Sequence, residues 1–199
     1  GIIGLGVGEQ HIAAYEAHPS FEVHSICDFN SSKLSEVSQR HPGIKITENP
    51  NELLCDPTIQ VVSIASYDNT HAEQILMAIN EGKHVFVEKP LCLFVDEAEK
   101  ISVALRKRPD LKLTSNLILR CSPRFQDLKN RITAGEMGDV YAIEAEYNYG
   151  RIEKLTDGWR GEIDYYSVML GGGVHMVDLI RWLTSAEVEE VVATGNQVA

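Results

Sequence analysis

Roughly the first 115 residues alternate between short runs of apolar, often β-branched residues and longer amphipathic segments. The short runs are bounded by turn residues, which is typical of buried strands. The longer segments place apolar residues on one helix face, most clearly over 72–79, where four of them follow the i, i+3, i+4, i+7 spacing. Strands that alternate with helices pair in parallel through right-handed crossovers. The pattern therefore predicts a doubly wound α/β domain built on a parallel sheet.

Capping and turn residues set the bounds of these elements. Asn30 is a predicted N-cap, and Asn49 followed by Pro50 at a first helical position predicts another helix start. The predicted strands are 1–4, 22–27, 45–47, 61–65 and 84–87, and the predicted helices are 9–17, 31–40, 50–56, 72–79 and 95–108.

The pattern changes after residue 118, which predicts a first domain over 1–118 and a second over 119–199. Residues Asp139–Tyr149 alternate strictly, as in a half-exposed strand of an antiparallel sheet. The second domain is therefore predicted to be α+β, with an open, mainly antiparallel sheet. Its other predicted elements are helices over 123–134 and 174–183, a polar loop between Tyr149 and the second helix, and a strand that starts over 188–194.

Both ends of the chain fall within these patterns. Gly1 already lies inside a strand pattern, so we expect the natural N-terminus to lie further upstream. The strand that starts at Val188 has no continuation, so we expect the second domain to be incomplete at its C-terminus.

Composition excludes several classes of partner. The 199 residues carry a net charge of −11 and no run of five or more basic residues, which argues against nucleic acid and anionic membranes. No apolar stretch approaches the roughly 20 residues of a membrane span, and no signal-peptide pattern opens the chain. The four cysteines lie far apart without a C-x-x-C, which we interpret as reduced thiols in a cytoplasmic protein rather than metal ligands or disulfides.

A glycine-rich loop separates the first strand from the first helix. Gly4, Gly6, Val7 and Gly8 form this loop, and Asp28 closes the next strand. Glycines let the backbone approach a pyrophosphate, and the helix N-terminus offers N–H groups and a positive dipole end. Asp28 accepts hydrogen bonds from ribose hydroxyls and repels a 2′-phosphate, so the pattern favours NAD over NADP. The alternative is a set of turn glycines and a solvated aspartate.

The fit to the dinucleotide fingerprint is imperfect. G-x-G-x-x-G counted from Gly4 requires a small residue where Glu9 stands, so the loop is either one residue shorter than usual or carries an anion near the phosphates. G-x-G-x-G also occurs in S-adenosylmethionine methyltransferases. These usually carry an acidic residue where this chain has Ile2, which argues against that class.

Polar residues follow two further strands of the predicted sheet. The loop 66–71 contains Ser66, Asn69 and His71 and lies where the nicotinamide half of a dinucleotide would bind, unless it only caps the next helix. The strand over 84–87 runs into Glu88 and Lys89, both of which are candidates for cofactor contacts. Pro90 pushes Lys89 toward extended backbone angles. Position alone makes Lys89 either a functional amine or a solvated charge.

A third polar group follows three consecutive glycines. His175 and Asp178 share one face of the predicted helix over 174–183, separate from its apolar face. A histidine that titrates near neutrality beside a carboxylate suits proton transfer, although a solvated helix face explains the pair equally well.

The glycine-rich opening and the stretches THAEQILMAINEGKHV, GKHVFVEKP and GGGVHMVDLIRWL together resemble the glucose–fructose oxidoreductase / inositol dehydrogenase / MocA superfamily, from Gly1 to about Asn196. The resemblance implies a Rossmann domain followed by an α+β domain whose open sheet often mediates oligomerisation, so a homo-oligomer is expected. It implies NAD(P)-dependent redox chemistry on a sugar, cyclitol or related polyol.

The resemblance also assigns roles to residues of the first domain. Lys89 matches the catalytic lysine of the E-K-P motif, in which the Lys89–Pro90 bond is often cis. The glycine loop matches the pyrophosphate loop, and Asp28 matches the ribose-binding position. Asn69 and His71 match the loop near the nicotinamide, although Tyr67 and Asp68 replace the usual proline and asparagine.

In the second domain, His175 matches the histidine of the family's helix and Asp178 the aspartate three residues later. Many members carry D-x-x-x-H, but Gly171 stands at the aspartate position here. Either Asp178 or another carboxylate takes that role, or a lysine–histidine pair acts alone.

The main hypothesis is thus an NAD-dependent oxidoreductase that exchanges a hydride between nicotinamide C4 and a carbinol or ketone carbon of a polyhydroxylated substrate. His175 would transfer the hydroxyl proton, with Asp178 orienting it or binding substrate, and Lys89 would polarise the substrate oxygen. Weaker candidates for substrate contacts are Arg120, Tyr149, Trp159 and Arg160. The rival hypothesis is a dinucleotide-binding sensor or regulatory protein without catalysis.

Overall fold

The computed structural model of the chain describes residues 1–163 and 165–195. They form two compact units, Gly1–Asn116 and Leu117–Ala199, which divide two residues before the predicted boundary at 118. The predicted end of the second domain, residues 196–199, lies outside the described residues.

The first unit is a six-stranded, wholly parallel sheet with strand order β3-β2-β1-β4-β5-β6. This confirms the predicted doubly wound class. The strands are β1 Ile2–Ile3, β2 Ser25–Cys27, β3 Lys45–Thr47, β4 Val61–Ile64, β5 His84–Val87 and β6 Leu113–Ser115. The helices are α1 Glu9–Glu16, α2 Ser31–Arg40, α3 Pro50–Leu54, α4 His71–Asn80 and α5 Val95–Lys107.

Adjacent residues of β1 belong to different cores, because successive side chains of a strand point to opposite faces of the sheet. Ile2 packs with the buried residues of α1 and α2, including Ile12 and Val37. Ile3 packs with the larger cluster that α3, α4 and α5 cover, around Ile75. Helices therefore cover both faces of the sheet and leave its strand ends for a binding site.

The predicted helix caps are present. The Asn30 side chain accepts a hydrogen bond from the backbone N–H of Lys33 at 3.0 Å, and that of Asn49 accepts one from Asn51 at 3.0 Å. Each bond satisfies a donor that has no partner inside its helix. These caps fix where α2 and α3 begin after the strands that precede them.

The second unit is helical in its described part. It contains a short 3₁₀ helix Ile118–Cys121, α6 Pro123–Thr133, α7 Glu153–Thr156, α8 Gly158–Gly161, a π-helical segment Met169–Gly173 and α9 Val174–Thr184. Lys129 of α6 donates to the carbonyl of Leu183 at 3.2 Å and to the Ser185 hydroxyl at 2.6 Å, so it caps the end of α9. The two short helices and the π-helical segment replace the predicted polar loop, because four-residue helices are too short to show a period.

The predicted antiparallel sheet of the second domain is not confirmed. The segments 139–149 and 188–194 form no strand, and within residues 117–163 and 165–195 no segment pairs with either of them. A strand needs a neighbour to bond its backbone, whatever the alternation of its side chains. Without that neighbour the alternating face is solvated, and Tyr141 is 98% exposed.

Two further findings concern membrane-spanning helices and the cysteines. No helix within the described residues is long and apolar enough to cross a membrane. All four cysteines are free thiols, and burial, aided by the nearby Asp28 carboxylate, raises the pKa of Cys27 to about 12.

Candidate functional site

The loops that follow β1, β2, β4 and β5 all leave the same edge of the parallel sheet. β1 pairs with β2 on one side and with β4 on the other, so the strand order reverses beside β1. Ligands of open α/β sheets bind at such a switch point, beyond the carboxyl ends of the strands. The glycine loop after Ile3 therefore lies where a dinucleotide would bind.

The three glycines of this loop differ in what a side chain at their position would meet. Gly4 has a φ of +85°, and a Cβ there would meet the backbone of Ala65. A Cβ on Gly8 would meet the carbonyl oxygen of Gly4 and lie 3.0 Å from the Ile2 side chain, so Gly8 lets α1 begin close to β1. Gly6 differs, because a Cβ there would meet nothing within 4 Å. The open space in front of Gly6 fits a pyrophosphate brought against the backbone.

Of the two predicted alternatives, the structure favours a loop one residue shorter than usual over an anion near the phosphates. Gly8 provides the close helix–strand packing expected of the third glycine, and only Val7 separates it from Gly6. The Glu9 carboxylate is bound by Lys33 at 2.9 Å and Arg40 at 2.6 Å. The hydrogen bond from Lys33, together with that from Arg40, lowers the pKa of Glu9. Its negative charge is thus compensated within the protein.

Asp28 is fixed beside the glycine loop. Its Oδ2 accepts a hydrogen bond from the backbone N–H of Leu5 at 2.7 Å, and its Oδ1 accepts one from Asn30 at 2.9 Å. A carboxylate oxygen keeps a second lone pair after one such bond. Asp28 can therefore still accept from ribose hydroxyls, and its charge opposes a 2′-phosphate, as NAD binding requires.

Two side chains of the loop after β4 bond to other groups of the protein. His71 is fully buried, with Nδ1 at 2.8 Å from the carbonyl oxygen of Pro90 and Nε2 at 3.2 Å from that of Ser66. The Ser66 hydroxyl bonds Thr70 and Gln74. Internal polar partners thus occupy the hydrogen-bonding atoms of both side chains, and their predicted cofactor contacts stay predictions. His71 instead ties this loop to Pro90, and only Asn69 of the three predicted residues is exposed.

The end of β5 carries the E-K-P segment, and the Lys89–Pro90 peptide bond is cis, as the resemblance implies. Lys89 is half-buried. Glu88 faces inward, where its Oε1 lies 3.2 Å from His11 Nε2 and accepts a 2.6 Å bond from Asn116. Burial would raise the pKa of Glu88, but the hydrogen bonds from His11 and Asn116 outweigh it and lower the pKa. These contacts hold Glu88 Oε1 within the protein, and the predicted cofactor contact of Glu88 stays a prediction.

In the second unit, Arg120 and Asp178 contact each other, although the first was predicted to bind substrate and the second to be catalytic. Asp178 is 8% exposed, and Arg120 binds both of its carboxylate oxygens, at 2.9 and 2.5 Å. Its hydrogen bonds to Asp178 raise the pKa of the Arg120 guanidinium. Asp178 therefore anchors the 3₁₀ helix 118–121 to α9, and its predicted role in orienting His175 or binding substrate stays a prediction. His175 lies in the first turn of α9, directly after the π-helical segment.

The remaining candidates for substrate contacts pack among themselves. The guanidinium of Arg160 lies 4.2 Å from the centre of the Trp159 ring, and its Nε donates to the Tyr166 hydroxyl at 3.1 Å. Tyr149 stacks on Tyr147 with ring centres 5.9 Å apart. These contacts explain the side chains without a substrate.

Sequence patterns give no signal for the partners of Glu88 and Asp178. His11 and Asn116 lie 77 and 28 residues from Glu88, and Arg120 lies 58 residues from Asp178. None of the three stands in a motif. No group of three potential metal-binding side chains occurs among residues 1–163 and 165–195.

Comparison with known proteins gives matches along the chain. Residues 1–116 match the GFO/IDH/MocA oxidoreductase family, described as having an NAD-binding Rossmann fold, and residues 125–199 match the GFO/IDH/MocA C-terminal domain. The myo-inositol 2-dehydrogenase of Thermotoga maritima is 29% identical over 98% of this chain and 58% of its own length. The scyllo-inositol 2-dehydrogenase (NAD(+)) of Bacillus subtilis is 32% identical over 98% of this chain and 56% of its own length.

A solved structure agrees with these matches. The myo-inositol 2-dehydrogenase of Lactobacillus plantarum superposes with a TM-score of 0.80 at 25% identity, over 92% of this chain and 55% of that one. The chain thus spans a little over half the length of the relatives that it matches.

Proposed function

The chain belongs to the GFO/IDH/MocA oxidoreductase family, whose NAD-binding Rossmann fold it shares, and we propose that it oxidises or reduces a cyclitol or related polyol with NAD. The observation that supports this most is the pairing of the glycine loop with Asp28, whose carboxylate is held by the backbone N–H of Leu5. The relatives named as inositol dehydrogenases support a cyclitol as substrate.

Residues of the first unit bind the cofactor in this proposal. The backbone around Gly6 faces the pyrophosphate, because the position of its missing Cβ is open. The N-terminus of α1 contributes N–H groups and a favourable dipole. Asp28 accepts from the adenosine ribose. Bound NAD supplies a hydride acceptor at nicotinamide C4.

The protein's own side chains carry the polar part of the reaction. Lys89 donates a hydrogen bond to the reacting oxygen of the substrate and stabilises the negative charge that develops there. His175 accepts the hydroxyl proton during oxidation and returns it during reduction. Both roles rest on the E-K-P and G-G-G-V-H segments. Asp178 is given a structural role here, because it is only 8% exposed and is bound by Arg120 through both carboxylate oxygens.

A substrate panel tests the proposal. The chain is incubated with NAD⁺ and, in turn, myo-inositol, scyllo-inositol, glucose and glycerol, and the formation of NADH is followed by absorbance. The proposal expects turnover with at least one inositol that exceeds turnover with glycerol. Tight NADH binding without turnover of any cyclitol or sugar would contradict it and restore the sensor hypothesis, which the comparisons do not support.

Two further proposals concern the cell. A cytoplasmic location is proposed from the four free, widely spaced cysteines, a pattern typical of reducing compartments. A homo-oligomer through a sheet of the second domain is proposed from the family resemblance alone, and light scattering coupled to size exclusion tests it.

A further inference from the structure

A chain of hydrogen-bonded, partly buried polar side chains lies within the first unit. His11 is at its centre, with Nδ1 at 2.8 Å from the Ser63 hydroxyl and Nε2 at 3.2 Å from Glu88 Oε1. Asn116 donates to the same Glu88 oxygen at 2.6 Å. These four residues, Ser63, His11, Glu88 and Asn116, are called the His11 network below.

The His11 network joins four separate elements. His11 lies in the first turn of α1, three residues after Gly8, and Ser63 lies on β4. Glu88 directly follows β5 and precedes Lys89, and Asn116 directly follows β6. The network therefore connects the helix that faces the pyrophosphate with the strand end that carries Lys89.

Hydrogen-bonding rules determine how the His11 network is protonated. The Glu88 carboxylate is kept ionised by its lowered pKa, so it only accepts, and His11 Nε2 must carry the hydrogen. The Ser63 hydroxyl lies 2.8 Å from His11 Nδ1, so both nitrogens of the ring have a hydrogen-bond partner. The same hydroxyl interacts with Tyr15, whose pKa is raised by burial.

The polarity of this contact calls for an explanation beyond packing. The side chains of His11 and Glu88 are only 12% and 15% exposed, so both have lost most of their hydration. Two apolar side chains of similar size would fill the same space without that cost. What directed hydrogen bonds add is a fixed orientation for the groups they join.

We propose that His11 is a positioning residue for Lys89. Through Glu88, it holds the end of β5 in a fixed place relative to the N-terminus of α1. The His11 network also acts on Lys89 electrostatically, because Glu88 interacts with the Lys89 charge. The hydrogen bonds that His11 and Asn116 make to Glu88 partly neutralise the negative charge that the Lys89 amine experiences. The inference rests on the proposed function, in which that amine contacts the substrate.

The decisive variants are His11→Ala and His11→Gln. Alanine removes both bonds of the imidazole, whereas the glutamine amide can still donate to Glu88. Asn116→Ala removes the other donor to Glu88 without altering α1, so it provides a second test if His11→Ala folds poorly. His18→Ala is the matched control, because His18 is an exposed histidine just beyond the same helix.

Two readouts separate positioning from simple stability. For His11→Ala we expect kcat for an inositol to fall by about tenfold to a hundredfold while Kd for NADH changes by less than about threefold. His11→Gln should recover most of the lost kcat. A kcat for His11→Ala equal to that of His18→Ala, or parallel losses of kcat and NADH affinity without recovery in His11→Gln, would overturn the inference.

The second readout does not depend on turnover. The rate at which an amine-specific reagent modifies Lys89, measured by mass spectrometry against the exposed Lys107, should be slower in His11→Ala. The reason is that Glu88, with one donor fewer, stabilises the protonated lysine more strongly. If the wild-type chain turns over no substrate, the proposed function fails, and this rate alone decides the inference: slower labelling supports positioning, and unchanged labelling refutes it.

Discussion

The backbone N–H of Leu5 donates a 2.7 Å hydrogen bond to Oδ2 of Asp28, which joins the glycine loop to the end of β2. One side of a dinucleotide site is thereby fixed before any ligand binds. In the proposed site, the carboxylate binds the ribose and the open position at Gly6 receives the pyrophosphate. Preorganisation of this kind lowers the entropy that binding must overcome.

Replacement by alanine should lower stability at Gly8 but not at Gly6. In Gly8→Ala the new methyl group meets the Gly4 carbonyl and the Ile2 side chain, so the free energy of unfolding should fall by about 1–3 kcal/mol. In Gly6→Ala stability should change by less than about 0.5 kcal/mol, since the methyl group enters open space.

NADH affinity completes that comparison. Gly6→Ala should weaken NADH binding by about tenfold, or about 1.4 kcal/mol, because the methyl group occupies the space in front of the backbone. Urea unfolding and NADH fluorescence measure the two quantities. Unchanged NADH affinity in Gly6→Ala would show that the pyrophosphate does not approach this position.

Much of the first unit is predictable because its signals are local. The caps at Asn30 and Asn49, the helical spacing over 72–79 and the strand ends at Asp28 and Lys89 depend on neighbouring residues alone. The alternation of strands and helices then restricts the topology, since parallel strands need crossovers.

The other features depend on residues distant in sequence. The bond between His11 and Glu88 spans 77 residues, and no periodicity connects them. The bond between Arg120 and Asp178 spans 58. The predicted strand over 139–149 is not confirmed for a related reason, because side-chain alternation does not supply a hydrogen-bonded neighbour.

Lys89→Ala should reduce turnover far more than cofactor binding. If Lys89 stabilises charge on the reacting oxygen, kcat should fall by at least about a hundredfold while Kd for NADH changes less than about threefold. Lys107→Ala, which changes an exposed lysine of α5, is the control and should match the wild type. Steady-state kinetics and NADH fluorescence measure both effects. Equal losses of kcat and affinity would remove Lys89 from the catalytic role.

Arg120→Ala should destabilise the second unit, because it leaves the buried Asp178 carboxylate without its bidentate partner. The Arg120 side chain is 43% exposed, so the cost of losing it should lie between the costs for buried and for surface ion pairs. We expect the free energy of unfolding to fall by about 1–3 kcal/mol. Arg131→Ala, which breaks an exposed pair with Glu136, should cost less than about 0.5 kcal/mol. Addition of Asp178→Asn should restore part of the loss, and an Arg120→Ala chain as stable as Arg131→Ala would contradict the anchoring role.

Acid should destabilise the first unit partly through Asp56. Hydrogen bonds from the side chain and backbone of Thr58 lower the pKa of Asp56 from 3.8 to about 2, against the opposing effect of burial. Since its folded pKa lies below its unfolded one, Asp56 stabilises the fold above about pH 3.8 and loses that contribution as the pH falls toward 2. Asp56→Asn should therefore flatten the fall in stability between these pH values, and an identical pH profile would contradict this.

A fluorescence titration of the chain with NADH and NADPH is the most direct test of whether the glycine loop and Asp28 form an NAD site. We expect NADH to bind more tightly than NADPH, and Asp28→Ala to weaken NADH binding by about tenfold or more while narrowing the difference between the two affinities. Asp110→Ala, which changes an exposed aspartate paired with Arg108, should leave both affinities unchanged. Tighter binding of NADPH by the wild type, or NADH binding that is indifferent to Asp28→Ala, would contradict the account.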